Sequence, residues 1–141
     1  YEGLELNKDF ISYAKNRYKK DKSKSFTKAN ILTSKRMLTK KYDAILLIST
    51  IHHFSDDELR ILLPKLKKMT KKIVIIADII PDPPHLLQKF FARIDRGKYV
   101  RPANEKITIL KKYFDIVKTE PIPTRSAVQF GIICEKKKRP A

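Results

Sequence analysis

Two short, near-continuous apolar runs separated by a helical pattern constrain the fold most. Tyr42-Asp43-Ala44-Ile45-Leu46-Leu47-Ile48-Ser49 and Ile73-Val74-Ile75-Ile76-Ala77-Asp78 have strand length and almost no polar alternation. Such runs suit strands buried on both faces, as in a parallel sheet covered by helices. Between them, Ser55-Asp56-Asp57-Glu58 has the spacing of a capping box, and Leu59, Leu62, Leu63, Leu66 and Met69 then share one helical face. Pro64 lies inside that pattern and predicts a kink or an early stop, because it lacks a backbone donor. Strand, helix and strand in this order predict an α/β sheet.

The flanking segments extend the pattern. Tyr1 to Leu6 alternates like a strand, Asn7 offers a side-chain oxygen as a cap, and Ile11, Ala14 and Tyr18 fall at helical spacing. Ser25 to Ala29 reads as a short strand with Asn30 to Thr33 as the loop beyond it. Past Asp78, Pro81-Asp82-Pro83-Pro84 ends the strand, and a helix is expected through Leu86, Leu87, Phe90, Phe91 and Ile94. Asn104 is expected to cap a further helix through Ile107, Leu110 and Phe114. Phe114 to Thr119 and Ala127 to Cys134 then read as an antiparallel pair at a sheet edge, separated by a Pro-x-Pro segment.

The formal charge of +17 raises the possibility of a nucleic-acid partner through phosphate neutralisation. Only eight of the 32 basic residues are arginines, however, and the lysines are dispersed over almost every polar segment. Specific phosphate or base recognition favours arginine forks, so a solvated lysine-rich surface is the preferred reading. The single cysteine, Cys134, has no partner for a disulfide and no ligand spacing for a metal, and is expected in the core. No apolar run approaches the roughly 20 residues needed to span a bilayer, and a cytoplasmic location is expected. One domain over residues 1–135 with a basic tail over 136–141 is the simplest division.

Ligands of open α/β sheets bind beyond the carboxyl ends of the strands. The polar groups there are Glu5, Asn30, Ser49 to His53, and Asp78. Gly3-Leu4-Glu5-Leu6-Asn7 followed by an amphipathic helix resembles the segment of class I S-adenosylmethionine-dependent methyltransferases in which an acidic residue ends the second strand. Phe26-Thr27-Lys28-Ala29-Asn30-Ile31 resembles that family's adenine-binding turn, with Asn30 where many members have aspartate. Tyr42 to Asp56, with its aromatic-Asp-apolar run and His-His-apolar step, resembles the fourth strand and the loop after it.

The resemblance implies a Rossmann-like class I methyltransferase fold, with a mostly parallel sheet and an antiparallel C-terminal strand pair. It also implies S-adenosylmethionine as cofactor. Glu5, beside Leu6, would take the ribose hydroxyls, Asn30 and the Ile31 amide the adenine, and Ser49 and Thr50 would line the cofactor. His53 or His52 could act as a base toward a hydroxyl or amine acceptor, although a packed loop residue is the plainer reading of either. Asp78, Tyr99 and Arg101 are candidates on the acceptor side, against the alternatives of a loop cap and ordinary surface. The family's glycine-rich turn and the strand before it have no counterpart among Gly3, Gly97 and Gly131, so an upstream truncation is expected. The acceptor is expected to be a small molecule. An RNA-binding or RNA-modifying module on the same scaffold is the alternative, although no Asn-Pro-Pro-aromatic run follows the third strand.

Overall fold

A computed structural model describes residues 1–34, 39–81, 90, 97–124 and 128–137. They form two compact units, Tyr1–Thr39 and Lys40–Ala141. The helix expected through Leu86 to Ile94 lies outside the described residues, Phe90 apart.

In the first unit, strand β1 (Glu2–Glu5) pairs in parallel with β2 (Ser25–Lys28), with helix α1 (Lys8–Arg17) between them in sequence. The Asn7 side chain accepts from the Asp9 and Phe10 amides at 2.8 and 3.4 Å and so caps α1 as expected. Only Ile11 of the helix is buried. Gly3 lies beside Phe26, where a Cβ would come within 2.8 Å of the ring, so a larger residue there would have to displace the Phe26 side chain.

The second unit carries a sheet in the order β3-β4-β6-β5, from β3 (Tyr42–Ile48), β4 (Thr70–Ile79), β5 (Phe114–Pro123) and β6 (Val128–Lys136). β3 and β4 are parallel, and β6 runs antiparallel to both β4 and β5. Helix α2 (Asp56–Met69) opens on the complete capping box of Ser55 and Glu58 and buries Leu59, Leu62, Leu63, Leu66 and Met69. Its buried face joins Leu47, Val74, Ile76, Phe114, Ile132 and Cys134 in the core. Burial pushes the Cys134 thiol up to about 12, so it stays neutral as a small apolar group.

Several local expectations change. Pro64 neither stops nor shortens α2, which continues to Met69; the proline sits on the exposed face, opposite the apolar stripe that holds the helix down. Helix α3 (Ala103–Lys111) starts one residue before Asn104, whose side chain accepts from the Glu105 amide at 2.9 Å. β5 does not end before the Pro-x-Pro segment but runs through Pro121 and Pro123, which a strand that pairs on one side only among the described residues tolerates. β6 includes Lys136, the first residue of the expected tail, and residues 138–141 lie outside those described.

β3 departs most from expectation. Only Leu47 is buried, while Leu46 and Ile48 are 53% and 51% exposed. Among the described residues β3 pairs with β4 alone and so stands at the edge of its sheet, with Leu46 and Ile48 exposed on one of its faces. Such an edge invites pairing with another chain. Replacing Leu46 and Ile48 by threonine, a polar residue of high β propensity, is expected to reduce concentration-dependent self-association in analytical ultracentrifugation. An unchanged sedimentation profile would show that this edge is not what drives association.

Candidate functional site

In the first unit, Glu5 and Asn30 leave the same end of the β1/β2 pair, because Glu5 is in register with Lys28 and its carbonyl accepts from the Ala29 amide at 3.1 Å. The Glu5 carboxylate folds over its own loop. Its Oε1 accepts from the Leu6 amide at 2.7 Å and the Asn7 amide at 2.9 Å, which fixes the carboxylate at the strand end. Leu6 beside it is 59% exposed. Asn30 Oδ1 accepts from the Leu32 amide at 2.8 Å, and its carbonyl accepts from Thr33 and Ser34, so the segment turns tightly and leaves Ile31 half-buried.

In the second unit, the parallel register pairs Ile48 with Ala77 and brings Ser49 next to Asp78. The Ser49 amide donates to Ala77 O at 2.8 Å, and its hydroxyl accepts from Gln129 Nε2 at 2.9 Å. With φ of 46°, Ser49 is in the left-handed region that L-residues seldom adopt, a strain that tends to be kept at functional loops. Thr50 Oγ1 bonds to Ile48 O at 2.7 Å, and a 3-10 turn follows over Ile51–His53.

That turn separates two adjacent histidines. His53 is exposed, whereas His52 is 1% exposed and its Nδ1 lies 2.5 Å from Asp78 Oδ1. Asp78 is fully buried, and its other oxygen lies 3.4 Å from the Lys106 ammonium. Lys106 is also 1% exposed and donates to the Ile79 carbonyl. Burial lowers its pKa against the opposing pull of Asp78. Asp78 and His52 thus face each other inside the fold, away from the open surface expected of acceptor-binding or proton-accepting groups.

Arg101 is likewise engaged within the chain. It is 5% exposed and bonds to Asp56 Oδ1 at 2.6 and 3.1 Å, to Phe54 O at 3.0 Å and to Tyr99 O at 3.0 Å, with Glu105 at 3.3 Å. The geometry gives it these partners in place of an acidic substrate, and it ties residues 99–105 to the loop after β3. The Tyr99 amide adds a bond to His52 O at 3.0 Å, while its side chain is 40% exposed. Lys106 was not singled out from the sequence. The signal was a lysine four residues before Leu110, in line with the apolar stripe of α3. No group of acidic, histidine and cysteine side chains suited to a metal occurs among the described residues.

Comparison with solved structures decides the fold. Magnesium protoporphyrin IX methyltransferase from Synechocystis PCC 6803, with S-adenosylhomocysteine bound, superposes with a TM-score of 0.72 at 15% identity, over 96% of this chain and 64% of that one. The chain has the class I methyltransferase fold. The N-methyltransferase NodS from Bradyrhizobium japonicum WM9, also with S-adenosylhomocysteine, gives 0.75 at 16% identity over 97% of this chain and 66% of its own. The methyltransferase domain of the citrinin polyketide synthase gives 0.71 at 19% identity, over 95% and 38%. The chain therefore spans less than two thirds of the length of each of these three proteins. No family profile and no curated protein matches it in sequence.

Proposed function

We propose that this chain is part of an S-adenosylmethionine-dependent methyltransferase acting on a small-molecule acceptor, and that it supplies adenosine-side contacts. The observation that carries the reading is the Glu5 carboxylate, anchored through Oε1 at the carboxyl end of a parallel strand in a fold shared with proteins solved with S-adenosylhomocysteine bound. The residues present fit the adenosine half of the cofactor. Glu5 Oε2 would accept from ribose hydroxyls, the Ile31 amide would meet the adenine ring, and the second lone pair of Asn30 Oδ1 would accept from its amino group. Ser49 and Thr50, on the strained loop after β3 of the second unit, are proposed as cofactor contacts from the family resemblance alone.

When bound, S-adenosylmethionine supplies a methyl group already activated on its sulfonium, so orientation and exclusion of water are the main demands on the protein. Of the two histidines, His53 is the one exposed enough to take a proton from an acceptor hydroxyl or amine. Tyr99 offers an exposed ring on the acceptor side.

Titrating the labelled chain with S-adenosylhomocysteine, followed by amide chemical shifts, tests the reading even at millimolar affinity, about 4 kcal/mol of binding. Shifts are expected at Leu6, Asn7 and Ile31, and Glu5→Ala should abolish them while leaving the rest of the spectrum intact. Absence of shifts at millimolar ligand, or shifts indifferent to Glu5→Ala, would sink it.

A further inference from the structure

Helix α1 carries aromatic rings on its solvent side. Phe10 and Tyr13 are 64% and 63% exposed, and with Arg17 they fall at i, i+3 and i+7, a face of the helix turned away from buried Ile11. Exposed rings gathered one turn apart, unlike single ones scattered over a surface, mark a place where a partner docks. Behind Tyr13 runs a series of planar groups. The Arg17 guanidinium donates to Tyr13 Oη at 2.9 Å, and its carbon lies 6.0 Å from the Tyr13 ring and 5.8 Å from the Tyr18 ring. Tyr18 stacks on half-buried Phe26 of β2 at 5.7 Å with 23° between the planes, and Lys24 Nζ lies 4.4 Å over the Tyr18 ring. The series roots the exposed rings in β2. Its setting is basic, since residues 8–28 hold seven lysines and Arg17 against Asp9 and Asp21, and Asp21 is paired with Lys24 at 2.6 Å.

We propose that this face of α1 binds single-stranded nucleic acid, with bases stacked on Phe10 and Tyr13 and phosphates held by Arg17, Lys19 and Lys20. Rings interleaved with cations suit such a strand, because every base offers a π face and the backbone offers a charge at each step. Dispersed lysines, which argue against base-specific readout, are sufficient for this mode. Arg17 spends one of its five donors on Tyr13, and the others are those that meet phosphate oxygens. Asp9, four residues before Tyr13, is the opposing charge on the helix and directs the phosphates toward its C-terminal end. The surface lies wholly within the first unit and does not depend on the methyltransferase reading.

A fluorescein-labelled ten-nucleotide oligouridylate, followed by anisotropy, tests the proposal. Affinity should fall roughly ten- to fiftyfold between 50 and 200 mM salt, as expected when three or four phosphates are neutralised. Phe10→Ala and Tyr13→Ala should each weaken binding by roughly five- to a hundredfold without changing the salt slope, whereas Arg17→Gln should reduce that slope by about 0.7. Inorganic polyphosphate, held by charge alone, should bind the ring variants and the unsubstituted chain equally. In the unsubstituted chain, oligouridylate should shift the ring protons of Phe10 and Tyr13, a measurement that needs no variant to fold. Rings that do not respond at saturation overturn the proposal. So does an unchanged affinity in folded Phe10→Ala and Tyr13→Ala, or a polyglutamate of equal charge that binds as tightly as the oligonucleotide.

Discussion

Asp78→Ala should lower the unfolding free energy by roughly 3–5 kcal/mol, the range for breaking one side of a buried ion pair. The loss comes less from the attraction removed than from what is left behind. Lys106, at 1% exposure, would keep an ammonium with, among the described residues, the Ile79 carbonyl as its hydrogen-bond acceptor, and His52 Nδ1 would lose its carboxylate. Lys106→Met should cost less, because His52 still lies against Asp78. Replacing both charges, as in Asp78→Leu with Lys106→Met, should recover most of the loss, since a buried pair exchanged for apolar groups is often near neutral. Urea unfolding followed by circular dichroism provides the comparison, with unchanged slopes required before midpoints are compared. A loss below about 1 kcal/mol in Asp78→Ala would mean that the charge left behind is compensated, by water or by another group, and that the ion pair is not what holds the site.

How far the sequence carried depends on whether a feature is local. The capping box at Ser55 and Glu58 and the Asn7 cap are set within a few residues, and both form as read. So do the strand at Glu2–Glu5 and the antiparallel pair at the C-terminal end. What the sequence left hidden depends on neighbours. The apolar run at Tyr42–Ile48 carries no sign that, among the described residues, it stands at a sheet edge, because hydrophobicity along a strand does not report what lies beside it. Adjacent histidines look alike in sequence, yet a single 3-10 turn sends His52 to Asp78 and leaves His53 exposed. Arg101 and Lys106 read as surface by type, and only tertiary structure supplies the Asp56 and Asp78 carboxylates that make their burial tolerable. Side-chain placements were legible where the rule was positional, as at Glu5 and Ser49, which lie at strand ends. They were not legible where electrostatic pairing across the sheet decided whether a side chain faces solvent or core.

The second large effect separates neighbouring positions on α2. Leu62 and Ile61 are similar in volume and adjacent in sequence, but Leu62 is fully buried and Ile61 is 52% exposed. Leu62→Ala removes core methylenes and leaves a cavity that surrounding residues fill only in part, so a loss of roughly 2–5 kcal/mol is expected. Ile61→Ala removes a half-solvated side chain and replaces a β-branched residue with the best helix former, so those effects oppose each other and the net change should stay within about 1 kcal/mol. The contrast also tests the treatment of Pro64. With one backbone donor missing from the middle of α2, the helix depends on its buried stripe more than an uninterrupted helix would. Loss of Leu62, two residues before the proline, should therefore fray the C-terminal turn, with faster amide exchange at Lys67, Lys68 and Met69 than in Ile61→Ala. If both substitutions cost the same, or if exchange in that turn is unaffected by Leu62→Ala, then packing of the stripe is not what carries the helix past its proline.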